Sequence, residues 1–283
     1  NSFVHTLMLR VSPEEDKILL KRLDAGRMLF NACLGEGLKR LARARESRLW
    51  QKAQKFGNKK ERGALFREAQ KKHAISDYDL QAFAIKTRNQ CSIKDHLDAN
   101  SAQKIATRVY GALAQHMYNK RGKPRFKAKG RFRSLEGKSK KQGIRFKDGK
   151  FVWGKLRLQP IYDRKDKHGV QANALGCATK YVRLVCKTIK GKNCWYVQLI
   201  QEGTPKQKDK NGIENGIVGL DLGPSSIAAV SINSSTLEPF CPGLKNIADK
   251  ITKKQIKLGR SRRKTNPDNF NDNGTVKSGP KRW

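Results

Sequence analysis

Asp221 is the residue whose surroundings most suggest chemistry. It lies inside Ile217-Val218-Gly219-Leu220-Asp221-Leu222-Gly223, which otherwise reads as a buried apolar strand. A carboxylate in such a run is costly unless something compensates it. A divalent cation, Mg2+ or Mn2+, is the natural compensation, with Asp221 as its ligand. Gly219 and Gly223 flank it and let a backbone or a ligand come close. The same residues also fit a plainer reading, in which Asp221 is a turn residue at a strand end.

Other chemistry-bearing types are scattered. The six cysteines are Cys33, Cys91, Cys177, Cys186, Cys194 and Cys241, and no two stand three apart, so the chain has no C-x-x-C zinc knuckle. Cys33 falls in an apolar helical stripe and Cys186 in a strand-like run, both ordinary places for a buried thiol. Cys177, Cys186 and Cys194 are the one cysteine grouping left for a metal. His5, His73, His96, His116 and His168 form no ligand pair at helical spacing.

Cations carry the stronger signal. Residues 121–150 hold 13 Lys and Arg against two acids. Within Pro124-Arg125-Phe126-Lys127-Ala128-Lys129-Gly130-Arg131-Phe132-Arg133, aromatics alternate with cations. That pattern suits an extended segment along a phosphate backbone, with rings such as Phe126 available for stacking. Arg145 and Lys147 follow in Gly143-Ile144-Arg145-Phe146-Lys147. A second block lies between Lys250 and Lys264, with eight cations, Lys253, Lys254, Arg260, Arg262 and Arg263 among them, and no acid. A solvated basic loop is the plain alternative for the first block.

Several elements must position these residues. Residues 3–11 read as a strand. Ser12-Pro13-Glu14-Glu15 predicts a capped helix start, and apolar residues from Ile18 to Leu41 recur at about 3.6-residue spacing, with a break expected near Gly26. A second helix is expected over about 100–119 on the stripe Ile105, Val109, Leu113, Met117. Residues 51–99 are polar with weaker helical signals. Asp148-Gly149 predicts a tight hairpin, and a longer hairpin is expected around Gly191-Lys192. Residues 121–203 therefore read as a small antiparallel barrel or sandwich. Residues 204–216 read as a linker, followed by an apolar strand, a Gly-Pro-Ser-Ser turn, a second apolar strand and a basic helix. The last residues are polar and expected to be flexible.

The chain has 283 residues, 62 Lys and Arg, 24 Asp and Glu, and a formal net charge of +38. Hydrophobic residues are 37%, below the usual ~45–50% but enough for cores. No uncharged apolar run approaches ~18 residues, so a membrane span is excluded. No signal peptide is expected from the first ten residues, and a cytoplasmic, prokaryotic setting follows as an expectation. A folded chain this basic needs a polyanion to relieve its self-repulsion, and RNA and DNA are the obvious candidates.

Three blocks together carry a resemblance. Gly216 to Ser231, GIVGLDLGPSSIAAVS, resembles the first RuvC motif of the TnpB proteins of insertion sequences and of the related compact type V CRISPR effectors. RMLFNACL (27–34), with Arg27 and Asn31, resembles the family's early helix. GKPRFKAKGRFRS (122–134) resembles its block between helical lobe and β domain. The resemblance implies a multi-domain α+β fold. A wedge β-barrel would comprise 1–11 and 120–203, a helical recognition lobe 12–119, a linker 204–215, and an N-terminal part of an RNase H-like RuvC domain 216–283. It implies an RNA-guided DNA endonuclease that binds guide RNA, reads a short motif beside its double-stranded DNA target and cuts with Mg2+. Asp221 then matches the first catalytic carboxylate, while Lys123, Arg125, Lys127, Arg131 and Arg133 contact guide RNA or heteroduplex. Actin-like ATPases also place a D-x-G turn after a first strand.

The sequence also departs from the family. The later Glu, the final Asp and the four-Cys zinc ribbon have no counterpart, and Glu238, Asp249, Asp268 and Asp272 stand in no matching context. Zn2+ is therefore expected only if such a ribbon lies beyond this chain. The expectation is a piece of a longer nuclease. A nuclease-dead RNA-guided DNA-binding relative and a non-guided RNA-binding protein are the competing readings.

Overall fold

The computed structural model describes residues 1–207, 218–223, 226–239 and 244–277. Most of the expected linker, Ile217, the turn residues Pro224 and Ser225, Cys241 and the last six residues lie outside the described residues. The chain divides into two compact units, Asn1–Lys210 and Asn211–Trp283. It is a mixed α+β protein with antiparallel sheets.

The first unit opens with β1 (Ser2–Leu9) and then inserts five helices before its sheet resumes. These are α1 (Pro13–Glu46), α2 (Arg48–Lys55), α3 (Lys59–Lys72), α4 (Asp77–Gln90) and α5 (Ala99–Met117), with a 3-10 turn at Ser92–Asp95. The start of α1 follows directly from its sequence. Ser12 Oγ accepts from Glu15 N at 3.2 Å, and Glu15 Oε2 accepts from Ser12 N at 2.8 Å, so two otherwise orphaned donors are satisfied. Asp98 caps α5 in the same way, accepting from Ser101 N at 2.9 Å. The stripe Ile105, Val109, Leu113 and Met117 is buried, as the spacing predicts.

The expected break at Gly26 is absent, because α1 runs unbroken for 34 residues. Gly26 serves packing instead. A Cβ there would lie 2.8 Å from Phe132 Cε1 and 3.2 Å from Leu135 Cδ1. The helix needs a gap at that point for Phe132 of the basic segment and for Leu135 just beyond it.

The strands that follow are β2 (Ser134–Glu136), β3 (Arg145–Lys147), β4 (Lys150–Trp153), β5 (Leu156–Leu158), β6 (Pro160–Ile161), β7 (Thr179–Ile189) and β8 (Lys192–Glu202), with the short helix α6 (Val170–Gly176) before β7. The five-stranded antiparallel sheet has the order β2-β7-β8-β1-β6, while β3, β4 and β5 form a separate meander. The expected barrel is thus two sheets, the larger open with β2 and β6 at its edges. Asp148 and Gly149 both take positive φ, 51° and 68°, as the tight turn requires. The longer hairpin turns on Lys190 and Gly191, with φ of 48° and 77°, one residue earlier than expected.

One core joins helices and sheet. Leu19, Leu29 and Leu113 from the helices pack in the same cluster as Leu7, Leu184, Trp195 and Val197 from the strands. Polar contacts stitch the same junction. Trp195 Nε1 donates to Asp16 of α1 at 2.6 Å, and Trp153 Nε1 donates to Asp98 at 2.9 Å.

The second unit is small. Strands β9 (Gly219–Leu222), β10 (Ser226–Val230) and β11 (Ser235–Pro239) form an antiparallel meander, followed by α7 (Leu244–Thr265). The sequence reading did not foresee β11. Beyond α7 the chain expected to be flexible folds back on itself, with Phe270 bridged to Val276 and Asn271 N donating to Thr275 O at 2.8 Å.

Candidate nucleic-acid interface

The basic segment has no regular secondary structure up to a turn in which Arg131 N donates to the Ala128 carbonyl at 3.0 Å, and a side-chain amide of α1 pairs with its backbone ahead of that turn. Asn31 donates from Nδ2 to the carbonyl of Lys127 at 3.0 Å and accepts from the N–H of Lys127 at 2.8 Å. Its side-chain amide therefore pairs with a backbone as a neighbouring strand would. Beside it the ring of Phe126 approaches Gly35 and is 59% exposed. Lys123, Arg125 and Arg131 are exposed, and Lys127, half-buried, places its Nζ 5.8 Å from the Phe30 ring centroid.

The two rings of the alternating pattern part company. Phe126 stays out, whereas Phe132 is 4% exposed and packs against Phe30 with ring centroids 6.0 Å apart. Gly26 provides the space for it. Arg133, two-sided in the same way, is half-buried and reaches Cys186 Sγ at 3.6 Å.

Arg27 forms a two-point ion pair with Asp24, with Nε to Oδ1 at 2.6 Å and Nη2 to Oδ2 at 3.3 Å. That bond draws the Asp24 carboxyl below its ordinary value and raises Arg27. Arg27 and Arg133 line one apolar-floored cleft of about 200 Å³ with Leu20, Leu23 and Phe132. Asp24, which the sequence reading passed over, is what orients Arg27.

Arg145 and Lys147 stand on β3, across the hairpin from Val152 and Lys150. Arg145 lines a different cleft, together with Arg22, Arg88 and Lys94, none of which the sequence reading singled out. On α7, Lys253, Lys254, Arg260, Arg262 and Arg263 are exposed. Helical spacing groups Lys250, Lys253, Lys254, Lys257 and Arg260 on one side.

Asp221 corrects an expectation. It lies on β9, opposite Ala228 of β10, and it is exposed rather than buried. Leu220 and Leu222 on either side are 66% and 71% exposed. The apolar run suggested burial, but a strand is buried only when something packs on its faces, and among the described residues nothing covers β9. A water-exposed carboxylate needs no cation to offset desolvation. Among the described residues no group of three or more His, Cys, Asp or Glu could hold a metal ion. Asp221 alone therefore does not fit a two-metal centre. Cys186 is buried and Cys33 more so, its thiol pushed up to about 12 by burial.

Two of the solved structures that resemble the chain distantly are complexes. One is a cryo-EM structure of a CRISPR-Cas12f ternary complex, 14% identical with a TM-score of 0.35, the match covering 88% of this chain and 53% of that one. The other is a cryo-EM structure of a Cas12f1–sgRNA–target DNA complex, 16% identical with a TM-score of 0.33, covering 93% and 70%. The chain thus spans about half the length of the first. No protein-family model matches the chain, and no curated protein does. Among the described residues no helix is long and apolar enough to cross a membrane.

Proposed function

We propose that the chain acts as an RNA-guided DNA endonuclease of the TnpB or compact type V kind, or supplies the guide-binding part of one. The observation that carries the reading is the pinned basic segment. Asn31 holds Lys127 against α1, so Lys123 and Arg125 are presented beside an outward-facing Phe126, before a turn at Ala128–Arg131 carries the chain on to Arg131 and Arg133. Such a cluster neutralises phosphates while the ring accepts a base, and its arginines can grip phosphate with two N–H groups where lysine offers a point charge. Guide RNA is its ligand, and the exposed cations of α7 serve the RNA–DNA duplex or the displaced strand. The sequence resemblance supports the same reading and adds recognition of a short motif beside the target.

In this reading Asp221, on the first strand of the second unit, is the first RuvC carboxylate. Mg2+ would supply Lewis-acid stabilisation of the phosphodiester displacement. Asp221 offers it one oxygen ligand. The described residues supply no partner carboxylates, so no hydrolytic step is assigned to them. The second reading is a nuclease-dead RNA-guided DNA-binding protein.

The test begins with nucleic acid extracted from the purified chain. One abundant structured RNA is expected, and RNA of no defined sequence would overturn the guided reading. In a protein that also supplies the later carboxylates, with that RNA and a matching target, metal-dependent products are expected, and Asp221→Ala removes them while leaving stability within about 0.5 kcal/mol, because the residue is exposed. Guide-dependent DNA binding in EDTA with no products in Mg2+ would establish the nuclease-dead reading. Full cleavage by Asp221→Ala would sink the assignment of that residue.

A further inference from the structure

A cleft of about 320 Å³ in the first unit gathers four cations from four elements: Arg22 of α1, Arg88 of α4, Lys94 of the 3-10 turn and Arg145 of β3. Arg22 is the fixed member. Its Nη1 donates to the Trp153 carbonyl at 2.9 Å, and its guanidinium lies 4.5 Å from the Trp153 ring centroid. The remaining N–H groups of the fork are left for another partner. Burial lowers the Arg22 pKa, opposed by the charge of Asp98.

Asp98 lowers the positive charge of the cleft without cancelling it, and its oxygens are held by neutral donors. They accept from Ser101 N at 2.9 Å, Ser101 Oγ at 2.7 Å and Trp153 Nε1 at 2.9 Å. Asp95 is the other acid on the wall. Among the described residues none of the four cations makes an ion pair. Arg88 is instead oriented by its own donation to the Leu97 carbonyl at 2.6 Å.

Two glycines at positive φ, Gly143 at 71° and Gly154 at 61°, line the rim. A Cβ on Gly143 would meet Asp98 Oδ1 at 2.7 Å, and Gly154 sits against Arg22, with a Cβ position 3.6 Å from Nη2. Half-buried, unpaired guanidinium charge beside glycine backbone suits a tetrahedral oxyanion. Arg22 and Asn31 are nine residues apart on α1, which at about 100° per residue sets them on opposite sides of the helix. The cleft is therefore separate from the pinned segment.

We infer that this cleft is a phosphate-binding site that takes a phosphoryl group of the bound RNA, at its 5′ end or within its backbone. The inference rests on the RNA-binding reading above, but its first test needs no RNA. The full chain, stripped of nucleic acid, is titrated with tripolyphosphate while tryptophan emission is followed, since Trp153 forms one wall. One saturable transition is expected. Arg145→Gln at the rim and Arg22→Lys, which keeps the charge but loses the fork, should each weaken it about tenfold. Arg164→Gln, an exposed cation elsewhere, should leave the midpoint unchanged.

RNA of one sequence bearing a 5′-triphosphate or a 5′-hydroxyl then separates the two sources. A preference of about tenfold for the triphosphate, lost in Arg145→Gln, assigns the terminal group. Equal binding of both, weakened alike by Arg145→Gln, assigns an internal phosphate. Absence of a saturable transition, or unchanged binding in Arg145→Gln, overturns the proposal, and the second outcome stands even if Arg22→Lys fails to fold. A chain that binds tripolyphosphate here but copurifies with no defined RNA would refute the guided function and leave the site intact.

Discussion

The side-chain amide of Asn31 reaches a backbone 96 residues away and satisfies both its N–H and its C=O. Removing one partner of such a bond strands the other, so Asn31→Ala should cost about 1–3 kcal/mol in a thermal or urea melt. Asn31→Asp should cost as much, because it keeps the acceptor but sets a charged oxygen against the Lys127 carbonyl. Both should weaken RNA binding by more than Lys127→Ala, which leaves the clamped backbone in place and removes one phosphate contact. Equal RNA affinities for all three would show that the segment needs no clamp. The sequence marks Asn31 as unusual in an apolar helix, but its partner is set by tertiary folding. Phe126 and Phe132 make the same point, since alternation places both rings beside cations and only the groove at Gly26 decides which one is buried.

At the scale of elements, caps and tight turns were legible and long-range fits were not. The capping box at Ser12 and the Asp148-Gly149 turn act within a few residues, and both stand where the sequence places them. Gly26 looks like a helix break by propensity, yet α1 continues through it because burial against Phe132 and Leu135 outweighs a loss of about 1 kcal/mol. Gly26→Ala should therefore destabilise by about 1–3 kcal/mol through overpacking, despite its higher helix propensity. Gly111 in α5 is the converse, since a Cβ there meets nothing within 4 Å. Gly111→Ala should stabilise by about 0.5–1 kcal/mol. Opposite signs in paired chemical melts are the check, and a stabilised Gly26→Ala would refute the packing argument. Strand β11 has little sequence signal because Ser235-Thr236-Leu237-Glu238-Pro239 carries one large apolar residue, and pairing with β10 rather than burial makes it a strand. Strand β9 is the converse, since its apolar composition points to burial and its residues are exposed.

For the whole molecule the charge of +38 sets the terms of any complex. If the pinned segment and the clefted cations engage about 6–10 phosphates, affinity for RNA should fall by about 10³–10⁵ between 50 and 200 mM salt. A filter-binding series would read this directly, and a nearly flat salt dependence would mean that the cations face solvent. The second unit adds a different demand. Leu220 and Leu222 of β9 and Ile247, Ile251 and Leu258 of α7 are all more than half exposed.

Strand β1 has a further consequence that concerns the order of synthesis. It is an inner strand of its sheet, yet both its neighbours come much later, with Ser2 opposite Glu202 and Leu9 opposite Pro160. At about 5–20 residues per second, the ribosome delivers β8 roughly 10–40 s after β1. Throughout that interval the first strand carries unpaired ladder groups while the helices between are free to condense. The sheet therefore closes last, and a waiting β1 is open to the β8 of another copy emerging on the same message. Exchange of that strand between nascent neighbours is the hazard this connectivity builds in.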